Sequence, residues 1–213
     1  MAGSFITLEG IEGCGKTTQA RLLAEHLRAR TGAEVVLTRE PGGTPTAARI
    51  REILADPECE LDRRAELLLF LADRAQHVET VLRPALARGA IVLCDRYCDS
   101  TTAYQGYGRG HPLEWVERLN HWASGGLVPE LTLWIDCEVE AGLARAIRGS
   151  GGPGDRFERE ALDFHRRVRE GFAAIHRAQP SRVVRIEGNA TIEEVHGAIV
   201  AVVEAHLSKR AST

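Results

Sequence analysis

The eight residues Gly10-Ile11-Glu12-Gly13-Cys14-Gly15-Lys16-Thr17 restrict what this chain can fold into more than any other stretch. They satisfy GxxxxGK[ST]. They also lie between a β-prone run, Ser4 to Leu8, and a segment, Thr17 to Arg30, in which Ala20, Leu23, Ala24 and Leu27 recur at helical spacing. In a strand–loop–helix context the glycines let successive backbone N–H groups turn inward on an anion, and the following helix adds its positive end. Residues Gly10 to Thr18 are therefore expected to cradle the phosphates of ATP, with Lys16 reaching the β- and γ-phosphates and the Thr17 hydroxyl on Mg²⁺. Lys16 and Lys209 are the only lysines in a chain otherwise supplied with arginine. That marks Lys16 as a place where a compact ammonium is required.

The pattern then repeats. Strand-like runs at Val35–Thr38, Ala90–Cys94, Leu131–Ile135 and Arg182–Ile186 alternate with helical patterns at Ala65–Arg88, Pro112–Ser124, Val139–Arg148, Phe157–Arg177 and Ile192–Leu207. Pro84 should kink or restart the first of these helices. Repeated β-α units predict an α/β fold, a five-stranded parallel sheet with helices on both faces, binding its ligands at the carboxyl ends of the strands. The 213 residues, 44% hydrophobic and without a dividing linker, suit a single domain spanning residues 1–213. Gly149 to Gly154, GSGGPG, lies between two helical patterns and reads either as a plain connection or as part of a flexible lid covering about residues 142–158.

Composition removes several function classes. A net charge of −3 argues against nucleic-acid binding, which needs an electropositive face. No apolar run reaches the roughly 20 residues of a membrane span, and the N-terminus lacks a signal-like segment, so no membrane partner and a cytoplasmic location are expected. The cysteines, Cys14, Cys59, Cys94, Cys98 and Cys137, form no CxxC pair and are expected to be reduced. There is no NKxD guanine-reading motif and no ABC signature, which leaves a small-molecule kinase as the best reading of the loop. A slow ATP-hydrolysing switch and a structural nucleotide-binding protein are the alternatives.

Four further ordered stretches resemble bacterial thymidylate kinases, in a match running from Phe5 to at least Phe172. They are Thr38-Arg39-Glu40-Pro41-Gly42-Gly43-Thr44, Phe70-Leu71-Ala72-Asp73-Arg74-Ala75-Gln76, Asp95-Arg96-Tyr97 with Ser100-Thr101-Thr102-Ala103-Tyr104-Gln105-Gly106, and a lid-like Leu143–Arg148 followed by Asp155-Arg156-Phe157-Glu158. The resemblance implies a P-loop nucleoside monophosphate kinase-like fold. It also implies transfer of the γ-phosphoryl group of ATP to dTMP, giving dTDP and ADP, by a homodimer.

The resemblance further implies a role for each matched residue. Phe70 would stack on thymine and Arg74, one turn on along the same helix face, would donate to it. Arg96 would hold the acceptor phosphate with Arg51 assisting, Thr101 and Gln105 would read the base edge, and Ser100 would line the substrate site. Tyr104 would pack beneath C2′, and Glu12 would face the 3′-hydroxyl. Glu40 and Pro41 would border the acceptor, and Asp95 would reach Mg²⁺. Arg145, Arg148 and Arg156 would close over the transferring group, with no choice among them possible from sequence. Another monophosphate as acceptor stays open at this stage. His77 and His165 lie near these motifs and are expected as solvated helix-surface residues.

Overall fold

Five short runs of β-branched and aliphatic residues pair edge to edge in the computed structural model, which describes residues 3–150 and 155–211. In chain order the elements are β1 (Ser4–Glu9), α1 (Lys16–Thr31), β2 (Val35–Arg39), α2 (Pro45–Ala55) and α3 (Arg63–His77). A π-helical turn, Val78–Leu82, leads into α4 (Arg83–Ala87), then β3 (Ile91–Asp95), α5 (Cys98–Thr101) and a second π-helical segment, Thr102–Gly108. After these come α6 (Leu113–Ala123), β4 (Leu131–Asp136), α7 (Val139–Ser150), α8 (Leu162–Ala178), β5 (Val183–Glu187) and α9 (Ile192–Ala211). All strands are parallel, in the order β2-β3-β1-β4-β5. Every residue of β1, β3 and β4 is buried, as central strands covered on both faces should be, whereas β2 and β5 alternate and lie at the edges.

One core layer joins Ile6, Leu8, Leu93 and Leu133 of the sheet to Leu23 and Leu27 of α1, Phe164, Val168 and Phe172 of α8, and Ile199 and Val203 of α9. On the other face Phe5, Val92 and Cys94 pack with Val78, Leu82 and Ala85. Helix ends follow local chemistry. Thr44 caps α2 by accepting from the Ala47 N–H at 3.0 Å, with Pro45 at its first position, and Gly32 ends α1 in the left-handed region at φ 66°.

One expected helix is restarted at Pro84 as expected, and one is corrected. The continuous pattern Ala65–Arg88 is interrupted by the π-helical turn Val78–Leu82, because Pro84 cannot donate an N–H and is accommodated only near the start of a new helical stretch. The pattern at Phe157–Arg177 begins five residues late, at Leu162. The Asp155 carboxylate accepts from the N–H groups of Phe157 at 2.9 Å and Glu158 at 3.0 Å and folds that segment into a turn. Residues 151–154, which belong to the GSGGPG stretch, lie outside the described residues.

Candidate active site

The loop after β1 owes its shape to glycine. Gly13 and Gly15 sit at φ 64° and 96°, where a side chain would strain the backbone. A Cβ on Gly13 would also fall 1.9 Å from the Gly142 carbonyl oxygen of α7. No side chain caps α1, so its first N–H groups face the loop uncovered. Lys16, nearly buried, folds back to donate to Ile11 O at 2.7 Å and Cys14 Sγ at 3.4 Å. Burial opposes ionisation of the Cys14 thiol, but the neighbouring Cys137 and Lys16 outweigh it and bring the thiol down to about 6. Residues Gly13 to Gln19 line a cavity of about 350 Å³, completed by Arg145 of α7 and by Gly188, Ala190, Ile192 and Val195 beyond β5.

On the other side of Lys16 lies a cavity of about 300 Å³. Of the four arginines that border it, three come from separate segments and stand together: Arg39 at the end of β2, Arg51 on α2 and Arg96 just past β3. The Arg51 guanidinium is pulled below its ordinary range, first by burial and then by the like charges of Arg39 and Arg96. Cations held together against their own repulsion mark a place for a multiply charged anion. Arg96 is also a non-glycine residue with positive φ, 72°. Its guanidinium donates to Gly10 O at 2.8 Å, Ser100 Oγ at 3.1 Å, Tyr104 Oη at 3.1 Å and Glu12 Oε1 at 3.2 Å, tying it to the phosphate loop. Thr17 Oγ1 donates to Asp95 Oδ2 at 2.6 Å, so the end of β3 touches the start of α1.

Glu12 is the pivot of this wall. Tyr104 Oη donates to its Oε1 at 2.6 Å. Burial would raise the Glu12 carboxyl, but His165, Arg96 and Lys16 beside it hold it down to about 2. His165 Nδ1 is 3.3 Å from Glu12 Oε2, yet so poorly aligned that neither ring nitrogen has a hydrogen-bond partner. The expectation of solvated histidines is overturned, since His165 and His77 are both wholly buried. His165 points inward from α8, and His77 bridges Glu40 Oε1 at 2.9 Å and Thr38 Oγ1 at 2.7 Å.

At the far end of the cavity, Phe70 and Phe157 approach at 5.9 Å between ring centroids. Arg74 is nearly buried, donating to Glu40 Oε2 at 2.9 Å and Asn120 Oδ1 at 2.6 Å, over the ring of Tyr97. Pro41 lies on the cavity wall and accepts from Arg51 through its carbonyl at 3.0 Å. Ser100, Thr101, Tyr104 and Gln105 all line the cavity, and the Gln105 amide donates to Glu66 Oε1 at 3.1 Å.

The three arginines expected to close over the transferring group separate. Arg145 borders the phosphate-loop cavity, and Arg148 is exposed on the same helix. Arg156 instead donates to Leu54 O at 3.0 Å and Glu66 Oε2 at 2.5 Å and lines neither of these two cavities. Cavity residues that no sequence pattern marked individually include Arg39, Tyr97 and Phe157. Arg39 and Phe157 sit inside recognised motifs, TREPGGT and DRFE, and the signal available was their membership of those motifs.

Two cavities meeting at one phosphate loop, at the carboxyl ends of a 2-3-1-4-5 parallel sheet, define a P-loop protein of the nucleoside monophosphate kinase class. The family model described as thymidylate kinase matches residues 8–199. The chain belongs to the thymidylate kinase family. It is 54% identical over 205 residues to a thymidylate kinase of Synechococcus sp. (strain JA-3-3Ab), covering 95% of this chain and 96% of the relative. With that of Gloeobacter violaceus the identity is 49% over 208 residues, 98% of each chain. The crystal structure of thymidylate kinase from Ehrlichia chaffeensis superposes with a TM-score of 0.77 at 36% identity, covering 95% of this chain and 99% of that one.

Proposed function

We propose that this enzyme transfers the γ-phosphoryl group of ATP to dTMP, yielding dTDP and ADP on the route to dTTP, within one domain spanning residues 1–213. The observation that carries the reading is that Gly13, Lys16 and Thr17 line both cavities, so a donor phosphate in one and an acceptor phosphate in the other meet at Lys16. ATP occupies the phosphate-loop side, on Gly10, Ile11, Glu12, Gly13, Cys14, Gly15, Lys16, Thr17 and Thr18, with its base toward Ala190 and Ile192. The acceptor phosphate sits among Arg39, Arg51 and Arg96. Thymine lies against Phe70 between Arg74, Thr101 and Gln105, and the deoxyribose rests over Tyr104 beside Glu12.

A phosphate monoester with a second pKa of about 6 is already largely dianionic at neutral pH, so no general base is needed. The barrier is repulsion between two anions, and positive charge aimed at the equatorial oxygens lowers it. Lys16 leaves Ile11 O and Cys14 Sγ to carry that charge, joined by Arg96 and the lid arginines Arg145, Arg148 and Arg156. Thr17 and Asp95 bring hard oxygen donors together at 2.6 Å, a pair suited to Mg²⁺, which would neutralise charge on the donor phosphates.

A homodimer completes the proposal. Trp115 and Trp122, one heptad apart on α6, and Leu68 on the adjoining α3 are 66%, 77% and 58% exposed, an apolar surface suited to a second copy. Five free thiols fit the reducing cytoplasm. Coupled turnover with ATP against dTMP, dUMP and dCMP tests the assignment. dTMP should stimulate ADP release and give dTDP; ADP release independent of any monophosphate would indicate a switch instead.

A further inference from the structure

Glu9 is the last residue of β1, wholly buried, and absent from the chemistry above. Its two oxygens hold the turn that follows β3. The Tyr97 N–H donates to Oε1 at 2.8 Å, and Ser100 Oγ meets Oε2 at 2.5 Å. Arg96, immediately before these anchors in sequence, keeps its left-handed φ of 72° while its own N–H donates to Leu8 O at 3.0 Å and its guanidinium to Ser100 Oγ at 3.1 Å. An arginine takes such a backbone only where its surroundings hold it there. Here the hold comes from residues 8 and 9 of the neighbouring strand.

We infer that Glu9, as a neutral carboxyl, is the positioning residue that holds Arg96 in its strained turn and keeps the acceptor-phosphate site electropositive; this rests on the assignment of Arg96 to the acceptor phosphate. Its burial favours the neutral form. Asp99 and Cys98 face Glu9 from α5, Cys94 and Arg96 from the β3 side, and Arg182, beside β5, forks onto Asp99 at 2.8 Å through each of two nitrogens. Burial first, and then the Asp99 charge, raise the Glu9 carboxyl to about 8, against the smaller opposing pull of Ser100, Arg96 and the Tyr97 N–H. Arg96 already faces Glu12 and Asp95. Below that point the carboxyl is uncharged, with Ser100 Oγ donating to Oε2. Above it a third carboxylate stands behind Arg96 and offsets the guanidinium that an incoming dianion needs.

The test is calorimetric binding of dTMP to the whole protein, without ATP, between pH 6.5 and 9, in the wild type, Glu9→Gln and Glu9→Ala. Gln copies the protonated acid in shape, charge and donor, so E9Q should bind within about twofold of wild type at pH 7. The wild type should weaken about tenfold from pH 7 to 9, the order expected of one added charge at an effective dielectric of about 20, and E9Q should not. E9A, which leaves the Tyr97 N–H without its acceptor, should weaken dTMP binding at pH 7 with the KM for ATP unchanged, a loss that Gln rescues. An equal alkaline decline in E9Q, a flat wild-type profile, or equal binding by E9A and E9Q would overturn the inference. If E9Q does not fold, the Glu9 carboxyl ¹³C resonance of the wild type decides, and titration near the ordinary carboxylate range rejects it. Wild type that binds dTMP at pH 7 but shows no such effect rejects only the role of Glu9. Wild type that binds no dTMP at any pH rejects the proposed function as well.

Discussion

Lys16, with Gly13 and Thr17, lines both cavities, so its removal should act on the reaction and leave the fold alone. Lys16→Ala is expected to cost about 3 kcal/mol of transition-state stabilisation, roughly a hundredfold in kcat, with an unchanged melting temperature. Lys16→Arg should not restore turnover, because a planar fork cannot take the place of a point charge between two phosphates. Arg74 differs in kind. Its guanidinium is paired with a carboxylate, Glu40, that is itself nearly buried. Arg74→Ala should therefore raise the KM for dTMP far more than that for ATP and also destabilise the protein by about 3–5 kcal/mol, the usual cost of stranding a buried charge. Thermal unfolding and substrate-resolved kinetics on one variant check both halves. Tyr104 hydrogen-bonds Glu12 and lies nearly buried on the cavity wall. Replacing it with Ala should lower the ratio of kcat/KM for dTMP over ribothymidine monophosphate, since the unmodified wall leaves a ribose hydroxyl unpaired at about 1–3 kcal/mol.

At the scale of elements, the contact between α7 and the phosphate loop is made by two glycines facing each other. A Cβ on Gly142 would meet Glu12 O at 2.7 Å and Cys137 Sγ at 3.1 Å. Alanine is the better helix former by about 1 kcal/mol, so on helix propensity alone Gly142→Ala would stabilise. The opposite is expected here. The added methyl must push α7 off the loop that carries the donor phosphates, so the KM for ATP should rise several-fold and the melting temperature should not. A variant that is more stable with an unaltered KM would show that α7 need not lie against the loop. The same contact explains why Arg145, one turn along α7, reaches the donor cavity while Arg156, beyond the Asp155 turn, reaches Glu66 and α2.

For the whole molecule, the apolar surface lies on α6 and on α3, the helix that carries Phe70 and Arg74, so a second copy seated there would brace the acceptor cavity. Trp122→Glu should convert a dimer into monomers in light scattering and, by loosening α3, raise the KM for dTMP more than that for ATP. A dimer that survives this change together with Trp115→Glu would place the interface elsewhere.

Everything legible in residue order alone was local in the chain. The phosphate loop, the five strands and the alternation that makes the sheet parallel follow from spacings of a few residues, where backbone geometry and hydrophobic period leave little choice. The family, too, was legible, because its motifs are contiguous. Arg39, Arg51 and Arg96 lie up to 57 positions apart, and only the ordering of β2, β3 and β1 brings them around one cavity. Periodicity put His165 on a helix without saying that its face is turned onto Glu12. It took Phe157 for helix because a side-chain cap at Asp155 outweighs propensity there. The tertiary structure decided these points for one physical reason: burial and charge depend on what crosses over from distant segments, and a short window of sequence does not contain it.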